Sequence, residues 1–341
     1  MTAFPLLHIF RRRHPGVAAA LALLASAAVV AAVPEPANAQ QPATATASAS
    51  AAKTGYAKVN GLRLAYAVHG DLASKQTPLL VLHGAFMSGE AMAPFVTPFA
   101  ASRPVITIDA RGHGRTGKVR GTLSYDQMAD DADAVLASLG ITRADVLGYS
   151  MGGSTAIAMA VRHPDRVGKQ VIISGAASLD GWIPQVLAGI AQMTPEMFAG
   201  TPMETEYKRL SPTPDAFPDL VAAIKHIDAT PFAYSNAQLR AIPGRTMVIL
   251  GDADGVTFDH AIKLFKLRGG GDIATATQGF MTAAPKARLS ILPATSHIGV
   301  MAEAPTIAAQ VIPFLDDATP PMPAGFFCTP APKEREYARQ S

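Results

Sequence analysis

The sequence predicts an α/β fold: a doubly wound, mostly parallel sheet with a helical cap inserted between two of its strands. Three observations carry this. From residue 55 onward, short β-rich runs alternate with helical stretches, the pattern left by a parallel sheet covered on both faces by crossover helices. The apolar runs end in or are followed by Gly, Asp, Ser or His, as buried strands do where they give way to loops. Between Ala177 and Pro243 the alternation stops, and helical pieces rich in Met, Phe and Pro stand where strands would be.

The elements follow in order. Residues 56–59 and 62–68 predict a hairpin turning at Asn60-Gly61, the strongest short hairpin signal. Residues 79–82, 105–108, 145–148, 171–174, 247–250 and 287–292 are brief apolar runs that predict buried parallel strands. Residues 124–139, 153–162 and 304–315 carry helical periodicity, and 258–265 reads as a further helix. Ser124, followed three residues later by Gln127, resembles a capping box. Within the insertion, 182–192, 195–198, 218–227 and 236–242 read as helical. Such an insertion lies over the sheet as a lid, with Trp182, Met193, Met197, Phe198, Met203 and Phe217 either facing a pocket or forming the cap's own core.

A chain of 341 residues that is 49% hydrophobic and 16% charged, with mean hydropathy +0.19, can bury a large core, which excludes a disordered chain or a coiled-coil rod. Its formal charge of +3 comes from a near-balance of signs rather than a basic block, so nothing points to nucleic acid. The single cysteine, Cys328, excludes an intramolecular disulfide and a paired-cysteine metal site. Arg11, Arg12 and Arg13 precede an apolar run ending at Val33, and Ala37-Asn38-Ala39 offers a small-x-small cleavage site. This reads as a secretory leader over 1–39, with an uncleaved anchor as the alternative. The expected organisation is therefore a leader (1–39), a linker (40–54), a core (55–176 and 244–316), a cap (177–243) and a tail (317–341). Export then implies a periplasmic or extracellular protein with no stable membrane association after cleavage; oligomeric state stays open.

Gly148-Tyr149-Ser150-Met151-Gly152-Gly153 is the most informative stretch. It follows a strand and opens a helix, the strand-turn-helix setting in which a tight turn holds a serine oxygen out of the sheet at a helix N-terminus. A dinucleotide fingerprint, Gly-x-Gly-x-x-Gly near a first strand, is absent. A serine hydroxyl needs a base, and the base an orienting acid.

With these residues in view, the chain resembles the α/β-hydrolase fold superfamily, in its capped esterase and haloperoxidase-like branch, over residues 55–316. The resemblance implies the chain order serine, acid, histidine. The matching stretches are Gly251-Asp252-Ala253-Asp254-Gly255 and Thr295-Ser296-His297. It implies Asp254, rather than Asp252, as the acid and His297 as the base. His69, His83, His113, His163, His226 and His260 are expected to be structural or surface histidines. His83-Gly84-Ala85-Phe86 resembles the loop that supplies one oxyanion-hole amide, which implies backbone donors at Ala85 and Met151. Phe86, Tyr149, Trp182, Met197 and Phe198 are the substrate-pocket candidates.

The loop from Asp109 to Thr116 matches the family's architectural turn, with Arg111 bracing it. Leu267-Arg268-Gly269-Gly270-Gly271-Asp272 lacks the Lys-Ser/Thr ending of a phosphate loop and is expected to end a helix. No histidine–glutamate metal spacing occurs, so neither metal nor cofactor is expected. The resemblance implies hydrolysis of small apolar esters or lactones through an acyl-enzyme. The same side chains also serve perhydrolysis and carbon–carbon bond hydrolysis, and a non-catalytic binder would keep the same fold.

Overall fold

The computed structural model describes residues 52–321. The expected leader, linker residues 40–51 and tail residues 322–341, with Cys328, lie outside the described residues.

Eight strands form one sheet in the order β1-β2-β4-β3-β5-β6-β7-β8. β1 (Lys53–Val59) and β2 (Leu62–His69) make the predicted hairpin, with β2 also antiparallel to β4 (Val105–Ile108). Asn60 and Gly61 both take positive φ, 51° and 74°, the conformation of the tight hairpin turn whose twist matches its strands. The strand begins at Lys53, so Lys53 and Thr54 belong to the sheet rather than to the expected linker. β3 (Leu79–Leu82), β5 (Ala144–Tyr149), β6 (Val167–Ile173), β7 (Thr246–Ala253) and β8 (Ala287–Ser296) complete the parallel part. β3, β4 and β5 are buried throughout, which is why they read as unbroken apolar runs.

Helices cover both faces. On one face pack α1 (Ala93–Ala100) and the C-terminal α10 (Ala304–Leu315), through Phe95, Phe99, Ile307, Val311 and Phe314. On the other pack α2 (Tyr125–Ser138) and α3 (Met151–Arg162), through Met128, Val135, Leu136, Ile157 and Met159. α1 was not expected. It carries Pro94 in its first turn and Pro98 within it, and an internal proline argues against a helix on sequence grounds. Ser124 caps α2 by accepting from the Gln127 N–H, but the Gln127 side chain turns to Asp131 instead of closing the box. A complete box forms at Ser235 and Gln238.

Between β6 and β7 stand α4 (Pro184–Ala191), α5 (Pro202–Leu210), α6 (Phe217–Ala229) and α7 (Asn236–Ala241). Their core is aromatic: Phe217 contacts both Phe198 and Tyr207, and Phe86 from the β3 loop joins them with its ring 4.8 Å from Phe198. α8 (Phe258–Leu267) and a short α9 (Ile273–Gln278) lie between β7 and β8. The glycines after Leu267 end α8, where Gly269 takes φ 92°, and Arg268 donates to the carbonyls of Leu239, Ile242 and Gly244.

Candidate active site

Ser150 sits between the last residue of β5 and the first of α3, with φ 54° and ψ −118°. This is a strained backbone conformation for a residue with a side chain. It is over-determined by close packing. A Cβ on Gly148 would meet the Gly152 carbonyl oxygen at 2.0 Å, and one on Gly152 would meet the Leu82 carbonyl oxygen at 2.2 Å. The Ser150 N–H is anchored by the Ile173 carbonyl at 2.8 Å. The turn thus projects Oγ over the sheet, at the start of α3, where free helix amides favour negative charge.

The residues predicted at distant positions meet there. His297 Nε2 lies 2.9 Å from Ser150 Oγ and Nδ1 lies 2.7 Å from Asp254 Oδ1. A carboxylate only accepts, so Nδ1 carries the proton and Nε2 is left to accept from the hydroxyl. Asp254 is buried, with three further donors: Ser174 Oγ at 2.5 Å and the Gly251 amide at 3.3 Å to Oδ2, and the Val256 amide at 3.1 Å to Oδ1. Burial is the largest influence on its pKa and pushes it up. The hydrogen bond and charge of His297, with the Ser174 and Val256 donors, outweigh that push and hold the carboxyl below the usual carboxylate range.

Asp252 does something else. Its oxygens accept from the amides of Ala294 and Thr295, at 2.8 and 2.9 Å, and so clamp the segment that leads into His297. The imidazole is held by more than Asp254. The Tyr149 hydroxyl donates to the His297 carbonyl at 2.9 Å, and the Trp182 ring meets the imidazole edge-on at 5.4 Å.

A cavity of about 110 Å³ opens above Ser150, several times what one water requires, roughly 10–15 Å³ on the same measure. Ala85, Phe86, Tyr149, Met151, Trp182 and His297 all line it. The His83 ring, through Nδ1–H to the Gly84 carbonyl at 2.7 Å and Nε2 accepting from Ala110 at 3.0 Å, fixes the loop that bears Ala85.

Two expected pocket residues are elsewhere. Phe198 is buried in the cap's aromatic core against Phe86 and Phe217, and Met197 is exposed, 38%, on the cap's outer surface. Their places on the wall are taken by Met193, Met203, Ile190 and Ile224. Neighbouring residues in a short helical turn point in different directions, and sequence gave no reason to prefer Met193 to Met197. Sequence reasoning also missed Ser174, which donates to Asp254, and Asp228, which lines the cavity from the cap. Ser174 leaves a single signal, a polar residue at the end of an apolar strand beside the elbow strand.

Arg111 is not at the cavity: it forms a bidentate pair with Asp131, at 2.7 and 2.9 Å, and donates to the Arg120 carbonyl. His113 packs against His83, and burial pushes its pKa down to about 3. His260 accepts from the Ala177 amide. Among the described residues, no three His, Cys, Asp or Glu side chains gather as a metal site, and no helix is long and apolar enough to cross a membrane.

Sheet order, cap and the serine on its strained turn define a class, the enzyme-like doubly wound folds with a nucleophile elbow at the switch from β5 to α3. The sequence profile of the alpha/beta hydrolase family matches residues 79–311, and the chain belongs to that family. It is 37% identical over 114 residues to RutD of Caulobacter segnis, provisionally named a carbamate hydrolase, a match covering 33% of this chain and 43% of that one. It is 34% identical over 120 residues to the sn-1-specific diacylglycerol lipase ABHD11 of Danio rerio, covering 35% and 37%. The chain spans less than half the length of these curated relatives. Among solved structures, the enol-lactonase of Burkholderia xenovorans LB400 superposes with a TM-score of 0.58 at 23% identity, covering 76% of this chain and 99% of that one. The meta-cleavage product hydrolase CumD of Pseudomonas fluorescens IP01 superposes with a TM-score of 0.57 at 20% identity, covering 77% and 97%. At these identities the likeness is one of fold.

Proposed function

We propose that the protein is a serine hydrolase that cleaves carboxylic esters or lactones of small apolar molecules through an acyl-enzyme. The observation that carries this is the unbroken hydrogen-bonded line from Ser150 Oγ through His297 to Asp254 at the floor of an apolar cavity. Ser150 Oγ attacks the carbonyl carbon while His297 Nε2 takes its proton, and Asp254 stabilises the imidazolium that forms. The negative charge passes to the carbonyl oxygen, which the N–H groups of Ala85 and Met151 receive; one such donor is worth about 3–4 kcal/mol in the transition state. His297 returns the proton to the leaving alcohol as the carbon–oxygen bond breaks. Water then enters and gives one proton to His297 as its oxygen bonds to the acyl carbon; His297 passes that proton to Ser150 Oγ as the acyl–oxygen bond breaks, releasing the acid and the free serine.

Carbamates present the same carbonyl to the same groups, and the local likeness to RutD favours including them among substrates. The leader over 1–39 supports export, with a mature chain beginning at Gln40; N-terminal sequencing of the secreted protein reads this directly.

The test is hydrolysis of p-nitrophenyl acetate, butyrate and an aryl carbamate. Ser150→Ala should lower kcat about 10⁵–10⁶-fold and abolish labelling by a serine-reactive phosphonate, with the folded state unchanged by circular dichroism. Equal inertness of wild type and Ser150→Ala on a broad ester and lactone panel would favour a binding protein of the same fold.

A further inference from the structure

Asp228, near the end of cap helix α6, lines the same cavity as Ser150 and His297. Its neighbours on that wall are apolar: Ile224 and Ile227 from its own helix, and Met193, Met203 and Ile190 from the rest of the cap. A carboxylate offers about four acceptor positions; three of the protein's buried carboxylates take several donors, and a fourth, Asp145, accepts from the Lys169 amide at 2.7 Å and faces the Arg103 guanidinium at 3.5 Å. Asp254 has the donors described above, Asp131 holds Arg111 in two bonds, and Asp109 accepts from the amides of Gly89 and Arg115 at 2.7 and 2.8 Å. Asp228 has one long bond among the described residues, from the Tyr125 hydroxyl at 3.4 Å. No cation on its helix turns to it, since Lys225, three residues earlier, donates to the Met193 carbonyl at 2.9 Å. The Tyr125 ring is fixed against Phe232, with centroids 4.6 Å apart.

We propose that Asp228, with the Tyr125 hydroxyl beside it, is the specificity-determining group of the cavity: it accepts from a hydroxyl or ammonium carried on an otherwise apolar substrate. This rests on the reading of the cavity as the substrate site. A bare alkyl chain leaves the carboxyl desolvated and under-partnered, whereas a donor-bearing chain satisfies it. That is the arrangement by which a site rejects analogues lacking the donor. Burial raises the carboxyl's pKa to about 6, against the smaller opposing effects of Tyr125 and His297, so it is ionised at pH 7.5 and accepts from either donor.

The chain has one tryptophan, Trp182, and it lines the cavity, so its fluorescence reports binding without turnover. Ser150→Ala protein would be titrated at pH 7.5 with hexan-1-ol, hexane-1,6-diol and 6-aminohexan-1-ol, alone and with Asp228→Leu or the isosteric Asp228→Asn added. At least one donor-bearing ligand should bind about tenfold or more tightly than hexan-1-ol; Asp228→Leu should erase that margin, and Asp228→Asn, which keeps one carbonyl acceptor but no charge, should reduce it. A tighter amino alcohol identifies ammonium recognition, and a diol at least as tight identifies a hydroxyl. In the protein with Ser150 intact, the ratio of kcat/KM for p-nitrophenyl 6-hydroxyhexanoate over the hexanoate should fall by the same factor in Asp228→Leu. Failure of both donor-bearing ligands to outbind hexan-1-ol, or a margin that survives both substitutions, overturns the proposal. A margin lost on substitution while no ester is cleaved leaves it standing and removes the ester reading. Cleavage with no margin does the reverse.

Discussion

Two carboxyl groups flank the cavity, Asp254 behind His297 and Asp228 on the cap, and burial is the largest influence on both. They end on opposite sides of the ordinary aspartate value. Around Asp254 the end of β7 and the turn after it aim the amides of Gly251 and Val256 inward, and Ser174 and His297 add side-chain donors. Asp228 emerges from the last turn of a helix, whose amides are committed within it, and finds one distant hydroxyl. The lesson is that burial alone does not decide a carboxyl's charge; the number of donors the local backbone can present does. One site is built to keep an anion, the other to wait for a partner.

The sharpest way to break this comparison is at the acid itself. Asp254→Asn should lower kcat about 10⁴-fold, because an amide facing Nδ1 permits the wrong imidazole tautomer. Asp252→Asn, two residues earlier, should cost far less, since it keeps an oxygen able to accept from one of the two amides that Asp252 clamps. Rates on p-nitrophenyl butyrate decide between them. Comparable losses in the two variants would show that Asp254 does not have the orienting role given to it.

How much of this was legible in the sequence follows the same physics. The elbow is local: its glycines, serine and flanking elements lie within one stretch, so Ser150 was readable directly. His297 and Asp254 were readable only through the resemblance, because nothing in a linear pattern brings residues 254 and 297 to residue 150. The central strands β3, β4 and β5 announced themselves by full burial, whereas β8, expected as a buried strand over 287–292, lies at the sheet's edge and is mostly part-exposed. α1 hid behind its prolines, and β8 runs on to Ser296 past Pro293 on the sheet's outer edge, where pairing on one side only tolerates a missing donor. Asp228 and the choice of Met193 over Met197 depend on how cap helices rotate against the core, and that is set by tertiary packing of Phe86, Phe198 and Phe217.

Stability against pH separates the two carboxyls next. For Asp228 the folded-state pKa stands above its usual 3.8, at about 6. Its favourable contribution to folding is therefore complete below about pH 4 and lost as pH rises through 6. At 1.36 kcal/mol per pH unit the penalty above pH 7 approaches 3 kcal/mol, and cavity water trims this to about 2 kcal/mol. Asp228→Asn should accordingly unfold at higher denaturant than wild type at pH 8, with the gain shrinking to nothing near pH 4. For Asp254 the sign reverses: its pKa is depressed, so its contribution is present above the ordinary aspartate range and lost as pH falls below it. A gain from Asp228→Asn that is flat across pH 4–8 would mean that the cap carboxyl is not desolvated in the folded protein.

The smallest effect tests how donors set the charge of Asp254. Ser174, itself held at φ 53° after β6, gives Asp254 Oδ2 its shortest bond. Removing it by Ser174→Ala leaves the His297 bond and both amides in place, so the line to Ser150 survives and kcat at pH 8 should fall no more than a few-fold. A hydrogen bond to an ionised carboxylate contributes about 1.5–3 kcal/mol, and its loss raises the Asp254 pKa toward the ordinary value. The stability that Asp254 contributes at neutral pH should shrink with that donor. Ser174→Ala should therefore be less stable to denaturant than wild type at pH 8, with the difference narrowing as pH falls below the ordinary aspartate range, and a Ser174→Thr variant that keeps the hydroxyl should return toward wild type. A stability difference that stays the same from pH 8 to pH 3 would mean that the two amides and His297 alone hold Asp254 ionised.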